Sequence, residues 1–137
     1  MDCAPTESVL TIAAYLTCDK ILIPVKPEFL STIGLPLIRQ LIGDFSRLYK
    51  KNVEMTGICF NACTNYAPEE TKSKEEVNLV AGRLEWYVFP EEVPYSRSFP
   101  KRAREGTPPI FRTSYAHYYV SNQVASFCDA FAARIAL

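Results

Sequence analysis

The sequence predicts an α/β fold, a mostly parallel sheet with helices flanking it in three layers. Three observations point there. Short β-branched runs alternate with segments of helical periodicity, and strands alternating with helices are joined by right-handed crossovers to parallel neighbours. The first such run, Lys20–Val25 (KILIPV), is apolar at successive positions, as a strand covered on both faces is. Only three such runs occur in 137 residues, a thin sheet for a doubly wound fold, so the pattern reads as half of a larger domain.

Each element has its own signal. Thr6 or Ser8 can cap a helix running to about Thr17, with Val9, Ile12, Ala13 and Leu16 at helical spacing. Pro24 and Pro27 end the KILIPV strand. Pro36 stands near the start of a strong helix whose buried stripe is Ile38, Leu41, Phe45 and Leu48, and the segment from Ser31 reads as an earlier turn kinked by that proline. The second strand is Val53–Asn61 (VEMTGICFN). A charged helix follows, APEETKSKEEVNLVAGRL, with a narrow buried side of Val77, Val80 and Leu84; its NYAPEETKSKEEV approach reads as a solvated face. The third strand is expected at Glu85–Pro90 (EWYVFP) and FPKRAREG is a short basic turn or helix. A last helix from about Tyr115 to Ile135 lines up Val120, Val124, Phe127, Phe131 and Ile135 on one face.

Composition narrows the function classes. Apolar residues make up 48% and charged residues 22%, a globular rather than a disordered balance. Net charge is zero, so any affinity for nucleic acid has to come from a local patch. No apolar stretch is long enough for a transmembrane helix, and the acidic start is unlike a signal peptide. The five cysteines, at 3, 18, 59, 63 and 128, are odd in number and poorly spaced for zinc, so reduced thiols in a reducing cytoplasm are expected. His117 lacks an obvious nucleophile or metal partner and reads as structural.

Four stretches, taken in order, carry a resemblance. DCAPTES followed by LTIAAYLTCDKILIPVKPEFLSTIGL resembles the Walker B region of the ParA/Soj and MinD partition ATPases, which are deviant P-loop proteins. Asp2 matches the acid, Pro5 the second of two prolines, and Pro24-Val25 with Pro27-Glu28 the strand end. GICFN resembles the strand ending near the adenine base, with Asn61 where MinD-like members carry an adenine-reading Asn. VPYSRSFPKRAREGTPPIF resembles the segment closing the nucleotide pocket, with Pro94, Gly106 and Pro108 at family spacing. The last helix is similar to the family's terminal helix. The resemblance spans nearly the whole chain but only the carboxyl-terminal half of a family member.

Residues 1–137 are accordingly expected to form the carboxyl-terminal half of a ParA-like nucleotide-binding domain with a P-loop NTPase-like, Rossmann-like sheet. The family's Gly-rich phosphate loop, which cradles polyphosphate on backbone N–H groups, has no counterpart: there is no GKT or GKS, and all glycines are isolated. The resemblance implies ATP or ADP and Mg2+ as cofactors of a full-length parent, with none expected to be bound by this chain alone. It gives Asp2 to magnesium, and Asn61 and Pro94 to the nucleotide. The residues themselves leave alternatives open, a solvent-exposed terminal acid for Asp2 and a strand-end Asn bonding local backbone for Asn61. No catalytic residue is named.

The dense basic run Arg97, Lys101, Arg102 and Arg104 reads either as a contact to DNA phosphates or as a solvated loop. The resemblance implies ATP-dependent homodimerisation, non-specific DNA binding, a ParB-like centromere-binding partner, and plasmid or chromosome partitioning in a bacterial, nucleoid-associated cytoplasmic setting. MinD-type members end in a basic amphipathic helix; CDAFAARIAL holds one Arg and no Lys, which favours the ParA/Soj type and no membrane contact. The other function class is a truncated, non-enzymatic interaction module. The missing phosphate-loop strand is expected to leave the edge of the first strand uncovered.

Overall fold

The computed structural model describes residue 2, residues 8–100 and residues 118–135. Its elements run α1 (Val9–Thr17), β1 (Lys20–Val25), α2 (Phe29–Tyr49), β2 (Glu54–Cys63), α3 (Pro68–Arg83), β3 (Val93–Pro94) and α4 (Tyr118–Ile135). The sheet has three parallel strands in the order β1-β2-β3. The α/β class, the parallel sheet and its flanking helices therefore stand as expected, and β1 keeps the bounds read from the sequence.

Ser8 opens α1, its Oγ accepting from the Thr11 N–H at 3.1 Å. The far end is closed by Lys51, whose Nζ donates to the Leu16 and Cys18 carbonyls, both at 2.7 Å. The expected stripe does not face inward. Val9 is 82% exposed and Leu16 41%, whereas Ala14 and Tyr15 are buried. Tyr15 sets this rotation: its hydroxyl donates to the Lys51 carbonyl at 2.5 Å and its ring packs 5.2 Å from that of Phe45.

α2 is one continuous helix through Pro36, so it begins seven residues earlier than a start at that proline would place it. At its start, Ser31 Oγ donates to the Lys26 carbonyl at 2.5 Å and Thr32 Oγ1 to the Phe29 carbonyl at 2.7 Å. Its 21 residues span roughly 30 Å against roughly 20 Å for the six of β1. Phe29, Leu30 and Ile33 are exposed near its start and Leu48 near its end. Leu48 is thus outside the core that its spacing assigned it to, while Leu35 and Phe45 are inside.

The expected third strand at Glu85–Pro90 is reduced to a single bridge, Val88 to Ile58. The end of α3 consumes its first two residues. Glu85 takes a left-handed conformation (φ 57°), its N–H reaches the Gly82 carbonyl at 3.3 Å, and the Trp86 N–H turns back to the Ala81 carbonyl at 2.9 Å. Pairing follows at once: the Tyr87 carbonyl accepts from Ile58 N–H at 2.8 Å, and the Phe89 N–H donates to the Ile58 carbonyl at 2.9 Å. Pro90, with no N–H, interrupts it, and the chain rejoins β2 as β3.

The principal core lies between the sheet and α2/α3, built from Ile23, Val25, Leu35, Ile58, Phe60, Cys63, Val77 and Ala81, with Val88 packed on it. Tyr87 and Phe89 alternate with Val88 and meet α4 instead. Phe89 is 1% exposed, with its ring 5.4 Å from Phe127 and 6.3 Å from Phe131. The α4 end is tied down by Arg134, whose Nε donates to the Thr56 carbonyl at 2.5 Å while its guanidinium lies 3.8 Å over the Tyr87 ring.

β1 is an edge strand. Beside it lies an apolar groove of about 400 Å³, lined by β1 residues from Lys20 to Pro24, by Ala14 and Tyr15 of α1, and by Leu41, Ile42 and Phe45 of α2. No described residue pairs with the outer side of this strand.

Candidate functional site

In open parallel sheets ligands settle at the carboxyl ends of the strands. That end is formed here by the residues after Val25, by Asn61 and the loop after β2, and by β3. The strand register brings two of the sequence-derived residues together: Asn61 pairs with Val93, and Cys63 pairs with Pro94. The Tyr95 N–H then donates to the Cys63 carbonyl at 2.8 Å. Asn61 is exposed and Pro94 buried. Asn61 Oδ1 accepts from the Ala62 N–H at 2.9 Å, the local backbone bond that its position allows. That bond uses one acceptor lone pair; a carboxamide has a second, and two N–H donors besides.

The chain turns sharply after Asn61. Ala62 and Asn65 both have left-handed backbone, at φ 57° and 60°. The turn is held by Glu70 in the first turn of α3. Both of its carboxylate oxygens accept from the Thr64 N–H at 3.1 Å, and Oε2 also accepts from Thr64 Oγ1 at 2.5 Å and the Asn65 N–H at 3.1 Å. One turn on, Lys74 Nζ donates to Asn65 Oδ1 at 2.6 Å and to Glu92 Oε2 at 2.8 Å, and lies 3.3 Å from Glu70 Oε1. It also sits 5.9 Å from the Phe60 ring centroid.

Electrostatics follow from this packing. Burial alone would raise the Glu70 carboxyl, but the bonds from Thr64 and Asn65 outweigh it and hold the group below its ordinary value. Burial would lower Lys74, yet Glu92 and Glu70 keep its ammonium charged above the ordinary lysine value. The Cys63 thiol is pushed up to about 12, first by burial and then by the Glu92 carboxylate, and burial takes Cys59 to about 11. Both shifts favour the protonated thiol over the thiolate. All four described cysteines, 18, 59, 63 and 128, are free thiols, as expected; Cys3 lies outside the described residues.

The reading of NYAPEETKSKEEV as a solvated face is corrected at Glu70 and Lys74, whose side chains are only 9% and 15% exposed. The signal that could have found them is their i,i+4 spacing at the start of a helix that follows a strand-end turn. Glu92 and the half-exposed Tyr95, next to β3, were likewise not singled out.

Asp2 is exposed and lines the apolar groove on the outer side of β1, away from the Asn61–Pro94 pairing on β2 and β3. Lys20, the one cation among the described lining residues, is bonded to Glu54 Oε2 at 2.8 Å. Among the described residues no group of three or more His, Cys, Asp or Glu side chains could hold a metal ion. At the Asn61–β3 end the described residues offer a carboxamide and backbone groups, and at Asp2 a single carboxylate. Of the basic run, Arg97 is exposed; Lys101, Arg102 and Arg104, with Gly106, Pro108, Tyr115 and His117, lie outside the described residues. Among the described residues no helix is long and apolar enough to cross a membrane.

No family model matches the chain. Two curated proteins of Mycobacterium tuberculosis are similar to it, one from strain CDC 1551 / Oshkosh and one from strain ATCC 25618 / H37Rv, both bearing the name uncharacterized protein. Each is 27% identical over 108 residues, which is 79% of this chain and 33% of the relative. The chain thus spans about a third of the length of the curated relatives it matches.

Proposed function

We propose that this chain is the carboxyl-terminal, base-binding half of a P-loop ATPase of the ParA partition type. The observation that carries the reading is the register placing Asn61 beside Val93 and Pro94 at the carboxyl end of a parallel sheet, where a base would be read by a carboxamide against a proline-bearing segment. In the parent, ATP would drive dimerisation and sequence-independent DNA binding, with Arg97, Lys101, Arg102 and Arg104 touching phosphates and a ParB-like partner stimulating hydrolysis. Asp2 would help hold the magnesium water shell, a role requiring phosphate oxygens already cradled by a loop that this sequence does not contain. The open β1 edge and its groove support the incompleteness of the nucleotide site, and they equally suit the second reading, a non-enzymatic interaction module.

A nuclear magnetic resonance titration separates these two. Adenosine at millimolar concentration should shift the Asn61 side-chain signals and the Val93 and Tyr95 amides, guanosine should do so far less, and Asn61→Ala should abolish the difference. Equal responses to both nucleosides, or none, would remove the base site and leave the interaction module.

A further inference from the structure

The two walls of the candidate base site are joined by little backbone. One wall is the turn after β2, from Asn61 to Asn65, and the other runs from Glu92 through β3 to Tyr95. The ladder between them is two residues long and its register is irregular. So short a pairing is a marginal tie on its own. A third element, α3, reaches both walls through a single side chain. Lys74 has three N–H donors, and three acceptors surround it: Asn65 Oδ1 on the first wall, Glu92 Oε2 on the second, and Glu70 Oε1 on its own helix. Glu70 in turn binds the Thr64 and Asn65 amides. The lysine side chain is only 15% exposed and its ammonium lies 5.9 Å from the Phe60 ring centroid, so it is held among these partners rather than in water.

We propose that Lys74 is a positioning residue that latches the two walls of the site together, so that Asn61 and the Val93–Tyr95 segment move as one unit and meet a purine base preformed. This inference rests on the base-site reading of Asn61, but its mechanical part is independent of any ligand. Removing the ammonium leaves the Glu70 and Glu92 carboxylates facing one another. Glu70 stays on its amides, so Glu92 and its wall are the side expected to let go.

Amide exchange on the 137-residue chain tests the latch in wild type, Lys74→Met, Lys74→Arg and the double variant Lys74→Met/Glu92→Gln. In Lys74→Met the Tyr95 amide should exchange about tenfold faster, as loss of a charge-assisted bond implies. Thr64 and Asn65, still bound to Glu70, should change far less, and the Ile58 and Phe89 amides should not change. Lys74→Arg, which keeps the charge, should restore most of the Tyr95 protection. The double variant removes the carboxylate repulsion and keeps the test readable if Lys74→Met folds poorly; Tyr95 should remain fast in it. Uniform acceleration that includes Ile58 and Phe89 would make Lys74 a general stability residue and overturn the latch, as would an unchanged Tyr95. With adenosine as the probe, Lys74→Met should weaken the Asn61 response about tenfold while Lys74→Arg keeps it. Wild type that fails to respond to adenosine overturns the positioning of a base, and the exchange pattern still decides whether the walls are latched.

Discussion

Glu70 is the residue on which the geometry of the β2–α3 turn rests. Four hydrogen bonds from Thr64 and Asn65 reach its carboxylate, and Lys74 faces the other side. Its folded value lies below its ordinary 4.5, so the unfolded chain binds the proton more readily. This contribution to stability is therefore present above the ordinary glutamate value and is lost as pH falls through the lower folded value. Lys74 runs the opposite way: its folded value is raised above 10.5, so its contribution is complete below 10.5 and is lost as pH rises through the higher folded value. Glu70→Gln should cost about 1–3 kcal/mol at neutral pH and flatten the acid limb of the stability profile. Denaturant titrations between pH 3 and 7 (roughly the carboxylate range) would read both effects, and an acid limb as steep as in wild type would show that Glu70 is not its source. Asn61 and Pro94 were named through the family resemblance alone, and the structure adds that their strands pair. Glu70 and Lys74 were not legible in the sequence, because a buried ion pair and a solvated one look alike until the turn that folds over them is known.

At the scale of elements, Gly57 decides how closely the segment after α3 can approach β2. Its φ is 152°, and a Cβ placed there would stand 2.8 Å from the Tyr87 carbonyl oxygen and 3.1 Å from the Phe89 ring. Since that carbonyl accepts the Ile58 N–H, the backbone cannot retreat without giving up the bond that begins the Val88 bridge. Gly57→Ala should therefore destabilise by about 1–3 kcal/mol, combining backbone strain with overpacking. Thermal unfolding with Gly34→Ala as control checks this, because a Cβ at Gly34 meets nothing within 4 Å. Equal effects at the two sites would mean that the close approach is not what Gly57 provides. The β1 run was legible to the residue, and α1 nearly so through its Ser8 cap. EWYVFP was not legible as a mere bridge, since its composition favours a strand; the helix-ending turn at Glu85 and Trp86 took the residues that would have begun one. Apolar spacing also overstated burial at Val9, Leu16 and Leu48, because periodicity shows which residues share a face and not which face is packed against a neighbour.

For the molecule as a whole, the edge of β1 is the exposed liability. KILIPV has the composition of an interior strand, yet its outer side borders a groove rather than another strand. Such an edge invites pairing. The chain is expected to self-associate with rising concentration, and the amides of Ile21–Val25 that face away from β2 should exchange fast in dilute samples. A monodisperse monomer at high concentration with slow exchange throughout that stretch would mean the edge is covered. On the proposed reading, a few neutral hydrogen bonds at Asn61 and β3 would contribute about 1 kcal/mol each to binding of a base, and a triphosphate would lack the cradle that a phosphate loop provides. The most direct test of the central claim is calorimetry of this chain with adenosine and with ATP plus magnesium, followed by an assay for released phosphate. The account predicts that ATP binds no more tightly than adenosine, both weakly, with no turnover. Micromolar ATP binding accompanied by hydrolysis would contradict it, because a complete phosphate site would then exist within these 137 residues.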